Sequence, residues 1–174
     1  MLGSATGCFL GLLTLGALNW YLFPETEQLL LMAAFGSSAI LIFTVPDLQT
    51  AQPWPAVTGH IIAALVGVFV RQNLPWPHFA AVPFTVAAAL LLMFLTASVH
   101  PPAGGTAVAA YKVDGLLASY GYWLALFPMA AGMIVLLGFA AFFLTFVAQR
   151  PYPVRRRYFP MSVSDGQDAD SKGR

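Results

Sequence analysis

The chain has one cysteine, Cys8, so no disulfide can form within it. Charge is also scarce: Asp, Glu, Lys and Arg make up 9% of 174 residues and nearly cancel, leaving +1. That balance gives no electrostatic surface for nucleic acid. So few charges also exclude an ordinary soluble domain of this length. Three histidines without a neighbouring Glu or Cys give no zinc spacing. A Walker loop, a dinucleotide fingerprint and a Ser-His-Asp order are missing as well. No metal, cofactor or enzymatic reaction is expected.

What remains is apolar. Hydrophobic residues reach 59%, which points to an all-α membrane protein. Thirteen prolines and fifteen glycines are more than simple anchors need. They predict broken or kinked helices, a device of transporters.

The first apolar run covers residues 2–22 and ends on the interfacial pair Trp20-Tyr21. It is expected to span rather than to be a cleaved signal, since no A-x-A site follows it. Gly3, Gly7 and Gly11 share one helix face, a candidate contact between protomers. Pro24, Glu25 and Glu27 read as a loop. The second run, 29–45, is short for a span and carries Gly36-Ser37-Ser38 at its centre. A proline-broken loop from Pro46 to Pro55 follows. The third run, 56–71, has Gly59, Ala63 and Gly67 on one face, a packing stripe. Residues 78–99 and about 120–148 complete the spans, the last kinked at Pro128. Residues 1–150 thus form one transmembrane domain. Residues 151–174 form a tail, basic at Arg155-Arg156-Arg157 and then disordered.

Between the fourth and last spans lies His100-Pro101-Pro102-Ala103-Gly104-Gly105-Thr106. A shift of 68 residues sets Gly36-Ser37-Ser38 on Gly104-Gly105-Thr106, with halves of about 2–72 and 76–148. Each half reads as span, short helix, span. If both short helices dip in and return, the N-terminus, Arg71 and the Arg150–Arg157 cluster share the cytoplasmic side. Residues 101–111 reach only about 16 Å as helix. Four spanning helices plus two short re-entrant or broken ones are therefore expected, with a two-fold internal repeat. Two crossing short helices are the alternative.

The run Ser98-Val99-His100-Pro101-Pro102-Ala103-Gly104-Gly105-Thr106-Ala107 resembles the signature of the HPP family of integral membrane proteins. Phe35-Gly36-Ser37-Ser38-Ala39, Ala51-Gln52-Pro53 and Gly59-His60 resemble that family's other marked stretch. Gly105 stands where alanine is more usual. The resemblance implies about four spanning helices and, for cyanobacterial and chloroplast members, nitrite transport. Many bacterial members have no assigned substrate.

The residues also suggest an anion site by their own chemistry. Pro102 suits the first turn of a helix. Ala103, Gly104 and Gly105 would then present free amides at its positive end. Thr106 adds a hydroxyl and His100 a ring able to carry a proton with the anion. Gly36, Ser37 and Ser38 would supply a matching helix start. His60 is expected to brace the Pro53–Pro55 loop or touch substrate. His78 reads as incidental, and Asp47 as a cap or a pair for Lys112. The candidate substrate-binding set is His100, Pro101, Pro102, Gly104, Gly105, Thr106, Gly36, Ser37, Ser38 and His60. The expected function is transport of a small monovalent anion, with nitrite foremost, by a homo-oligomer in the bacterial cytoplasmic membrane. A membrane scaffold subunit and a carrier of another small solute are the alternatives.

Overall fold

The computed structural model describes residues 2–23 and 25–154, leaving aside the side chains of 25–31. The basic cluster Arg155–Arg157 and the polar tail lie outside the described residues. The described chain is helical, without a strand. Its elements are α1 (Leu2–Leu22), α2 (Glu25–Thr44), α3 (Pro53–Asn73), α4 (His78–Leu95), α5 (Ala103–Lys112), α6 (Gly115–Ser119) and α7 (Gly121–Val147). A single 3-10 turn, Gln49–Ala51, precedes α3.

Four helices are long and apolar enough to cross a bilayer: α1, α3, α4 and α7. They coincide with the four expected spans. Pro53 and Pro55 belong to the start of α3 rather than to the loop before it. Proline is tolerated there because the first amides of a helix have no partner within it. In α7, Phe127 adopts an extended conformation at φ −134 and ψ 123. Proline disfavours a helical residue before it, so the expected kink falls at the Phe127-Pro128 step.

Two expectations need correcting. Glu25 starts α2 instead of lying in a loop, so α2 is 20 residues long, with its apolar stretch at Met32–Thr44. Nor do the short elements return to the side they entered. Arg150 pairs with Asp47 at 3.2 Å, joining the end of α7 to the segment after α2. Arg71, at the other end of α3, donates to the carbonyls of Val113 at 2.9 Å and Ala118 at 3.2 Å. The 21 residues of α3 rise about 31 Å, so these clusters mark opposite ends of the bundle. Phe23 meets Phe127 near the start of α7, and Gly121 sits beside Gln72, so α2 begins at the Arg71 end. α2 and α5 therefore lead across. Arg71 faces inward as a cap, and Arg71 and Arg150 do not share a side. Asp47 pairs with Arg150, not with Lys112.

The expected stripe on α3 packs closely against α5 and the loop before it. A Cβ on Gly67 would lie 2.5 Å from the Ala107 carbonyl and 2.9 Å from the Tyr111 amide. One on Gly59 would lie 3.0 Å from the His100 Cβ and 3.1 Å from the Ser98 carbonyl. Glycine at both positions lets α3 touch α5 and the loop before it backbone to backbone. Gly7 and Gly11 in α1 are covered within the chain, by Phe43 together with Phe143 or Leu136 and Phe139. Of the expected Gly3–Gly7–Gly11 contact face, these two positions are thus filled from within, while a Cβ on Gly3 would meet nothing within 4 Å.

A buried histidine pair as the candidate functional site

α4 ends in a specific turn. Ala97 has φ +50, while Ser98 N–H bonds to Met93 O at 2.8 Å and Ala97 N–H to Phe94 O at 3.2 Å. This closes the helix by the Schellman pattern, with alanine where glycine is usual. The chain then turns inward and carries His100 under the Gln49–Ala51 turn. There the His100 Nδ1 lies 2.7 Å from the Thr50 carbonyl.

His60, about two turns into α3 from its proline start, faces His100 with ring centroids 5.2 Å apart. Ser38 of α2 lies between them. Its Oγ is 2.9 Å from the His60 Nε2 and 3.0 Å from the His100 Nε2. The His60 Nδ1 is 2.6 Å from Thr106 Oγ1 on α5. All four side chains are completely buried. Every ring nitrogen has a partner, which buried polar groups require.

The order of donors follows from the one group that has no choice. The Thr50 carbonyl only accepts, so the His100 Nδ1 carries hydrogen. For uncharged rings the His100 Nε2 then accepts from the Ser38 hydroxyl. Ser38 in turn accepts from the His60 Nε2–H, and the His60 Nδ1 accepts from the Thr106 hydroxyl. The tautomers are inferred from this network, since hydrogens are placed by their partners.

Not all of the expected site converges. Ser38, His60, His100 and Thr106 meet, whereas Ser37, Pro101 and Gly105 are exposed and Gly36, Pro102 and Gly104 half-buried. The free amides are also not there. Ala103, Gly104 and Gly105 N–H donate to the carbonyls of His100, Pro101 and Pro102 at 2.9, 3.1 and 3.0 Å. A tight turn thus satisfies amides that an open helix start would leave free. Gly36-Ser37-Ser38 lies well inside α2, whose internal amides bond back along the helix, so no second helix start faces the first. The positions matched by the internal shift are not equivalent along their helices. Even so, Ser38 and Thr106 bond to opposite nitrogens of one ring.

Thr50 gave no signal in the sequence because it acts through its backbone. Gln52 stood out only within the family-like stretch Ala51-Gln52-Pro53, not as a site residue, and it is fully buried. Its amide donates to the Pro46 carbonyl, at 2.6 Å, and the Leu48 carbonyl, and its Oε1 accepts from Val154 N–H at 2.8 Å. The turn that holds His100 is thereby fastened to the end of the chain. Tyr152 adds a hydroxyl bond to the Ala51 carbonyl at 2.7 Å. His78 is not idle: its Nδ1 pairs with the Tyr111 hydroxyl at 2.7 Å, tying α4 to α5. Among the described residues no three of His, Cys, Asp and Glu come together as a metal site would need.

An apolar helical bundle with a sealed polar centre defines the chain as an integral membrane protein. It belongs to the HPP transmembrane family, whose transmembrane region it matches over residues 1–153. Two Dictyostelium discoideum relatives, both described as transmembrane proteins, are 34% identical over 149 residues and 30% identical over 150. Each match covers 84% of this chain but 48% and 52% of the relatives, so the chain spans about half their length. No solved structure matches.

Proposed function

We propose that the protein carries a small monovalent anion, nitrite first, across the bacterial cytoplasmic membrane. The observation that carries this reading is the buried chain Thr106–His60–Ser38–His100, set among apolar helices. Ionisable side chains at such depth are costly and serve substrate or ion pathways in membrane proteins. An anion accepts hydrogen bonds, and the chain holds three hydrogens that could turn to it: those of the Thr106 and Ser38 hydroxyls and of the His60 Nε2. A passing anion would accept from the His60 Nε2–H and from a Ser38 hydroxyl turned away from His100, whose Nε2 is itself an acceptor. With no fixed cation in the set, it would be held weakly enough to leave. The resemblance of the His100–Thr106 stretch to nitrite-transporting relatives supports the choice of substrate. The Arg155–Arg157 cluster supports a cytoplasmic C-terminus. A homo-oligomer is part of the proposal, tested by crosslinking in native membrane.

The test is nitrite flux into proteoliposomes, with nitrate, formate and chloride as competitors and with or without a pH gradient. Saturable flux lost in His60→Ala and His100→Ala, and kept in the exposed control Gly105→Ala, is the expected result. A second reading, a scaffold subunit, is favoured by one observation: the ring nitrogens and the amides of 103–105 all find partners inside the chain. It predicts no flux of any anion from folded protein and a partner that co-purifies.

A further inference from the structure

Away from the histidine pair, a groove of about 510 Å³ runs between α1 and α2. Ser4, Ala5, Cys8, Ile40, Thr44 and Arg150 line it. Ala5, Cys8 and Ile40 make part of its lining apolar and Arg150 gives it a charge, an amphipathic layout. Arg150 in turn meets Asp47, which lies just outside the lining. That pair is joined by a single contact of 3.2 Å, and its side chains are 39% and 60% exposed. Arg150 keeps further donors on its fork and Asp47 further lone pairs. The pair is neutral overall, so it offers no net attraction to an anion alone. What it does offer is a positive and a negative group side by side at one end of the bundle.

We infer that this groove is a binding site for a phospholipid whose headgroup carries both a phosphate and a primary ammonium. The phosphate takes the guanidinium of Arg150, by the charge-assisted bonding that arginine favours. The ammonium takes the carboxylate of Asp47. The Ser4 and Thr44 hydroxyls, which also line the groove, would donate to the ester carbonyls. One acyl chain lies along Ala5 and Ile40, and the groove volume falls within the range of small-ligand sites. A methylated ammonium has no hydrogen to donate to Asp47, and a glycerol headgroup has no positive charge. The site therefore distinguishes phosphatidylethanolamine from phosphatidylcholine and phosphatidylglycerol.

Cys8 is the only cysteine of the chain and lies on the groove wall, so its alkylation reports occupancy in the unaltered protein. Purified protein in detergent is treated with a maleimide after addition of phosphatidylethanolamine, phosphatidylcholine, phosphatidylglycerol or palmitate. Phosphatidylethanolamine is expected to slow labelling at least threefold more than the others. Asp47→Asn should remove the preference over phosphatidylglycerol, and Arg150→Gln the protection by either phospholipid. Circular dichroism confirms that both variants are folded. Equal rates with all three phospholipids in wild-type protein would overturn the inference. So would equal protection by palmitate, which would leave the acyl chain as the only determinant.

Discussion

The close approach of α3 to α5 at Gly67 sets up a sharp test. In Gly67→Ala the new methyl would stand 2.5 Å from the Ala107 carbonyl oxygen, 2.7 Å from the Ala110 Cβ and 2.9 Å from the Tyr111 amide. Two of these are backbone atoms that no rotamer change can clear. Ordinary contact begins near 3.4 Å, so α3 and α5 must part by about 0.9 Å at this level. Thr106 precedes Ala107, and its hydroxyl is 2.6 Å from the His60 Nδ1. The same displacement would stretch that bond to about 3.5 Å, the limit of a useful hydrogen bond. Overpacking costs about 1–3 kcal/mol. A buried acceptor left without its donor costs about 1–3 kcal/mol more. The better helix propensity of alanine returns about 1 kcal/mol. A net loss of about 3 kcal/mol follows from central values of these terms. Reversible unfolding in mixed micelles measures it, with Gly36→Ala as the control. A Cβ at Gly36 meets nothing within 4 Å, so that variant should be neutral or slightly more stable. A Gly67→Ala protein as stable as wild type would refute the reasoning.

Three further outcomes are expected. Thr106→Val keeps the shape of the side chain but leaves the His60 Nδ1 without a donor, and should lower stability by about 1–3 kcal/mol in the same assay. Arg71→Met releases the carbonyls of Val113 and Ala118, so hydrogen exchange should quicken across residues 113–121 and leave the region of Thr50 unchanged. Ala97→Gly relieves a left-handed alanine and should raise stability by about 0.5–1 kcal/mol, read from the melting temperature.

The spans were legible because a bilayer demands length and apolarity, and both are local properties. The packing stripe on α3 was legible for a similar reason: small residues at helical spacing have few other uses. The direction of α2 and α5 was not legible. The charge argument needed Arg71 to face water, but Arg71 instead caps two carbonyls across the bundle. The histidine cluster was half legible. His100 and Thr106 stood out by their neighbours, Ser38 by the internal match, and His60 by its place after a glycine in the second family-like stretch. Their meeting depends on three helices and a loop, and no single window contains it. The supposed free amides show the converse error. Proline and glycine composition is the same for an open helix start and for a tight turn that satisfies its own amides.

The hydrogen-bonded line from Thr106 to Thr50 has one more consequence. A Grotthuss relay works twice only if its members can swing round to the opposite polarity after each passage. Hydroxyls and imidazoles can do so, but a peptide carbonyl cannot, because it has no hydrogen to give. Anchored on Thr50, the line has no mirror-image state and cannot reset. As it stands, it immobilises protons rather than conducting them. If the protein moves protons together with a solute, His100 must first leave the Thr50 carbonyl. The Gln49–Ala51 turn, fastened by Gln52 and Tyr152 to the end of the chain, would then be the latch that decides when.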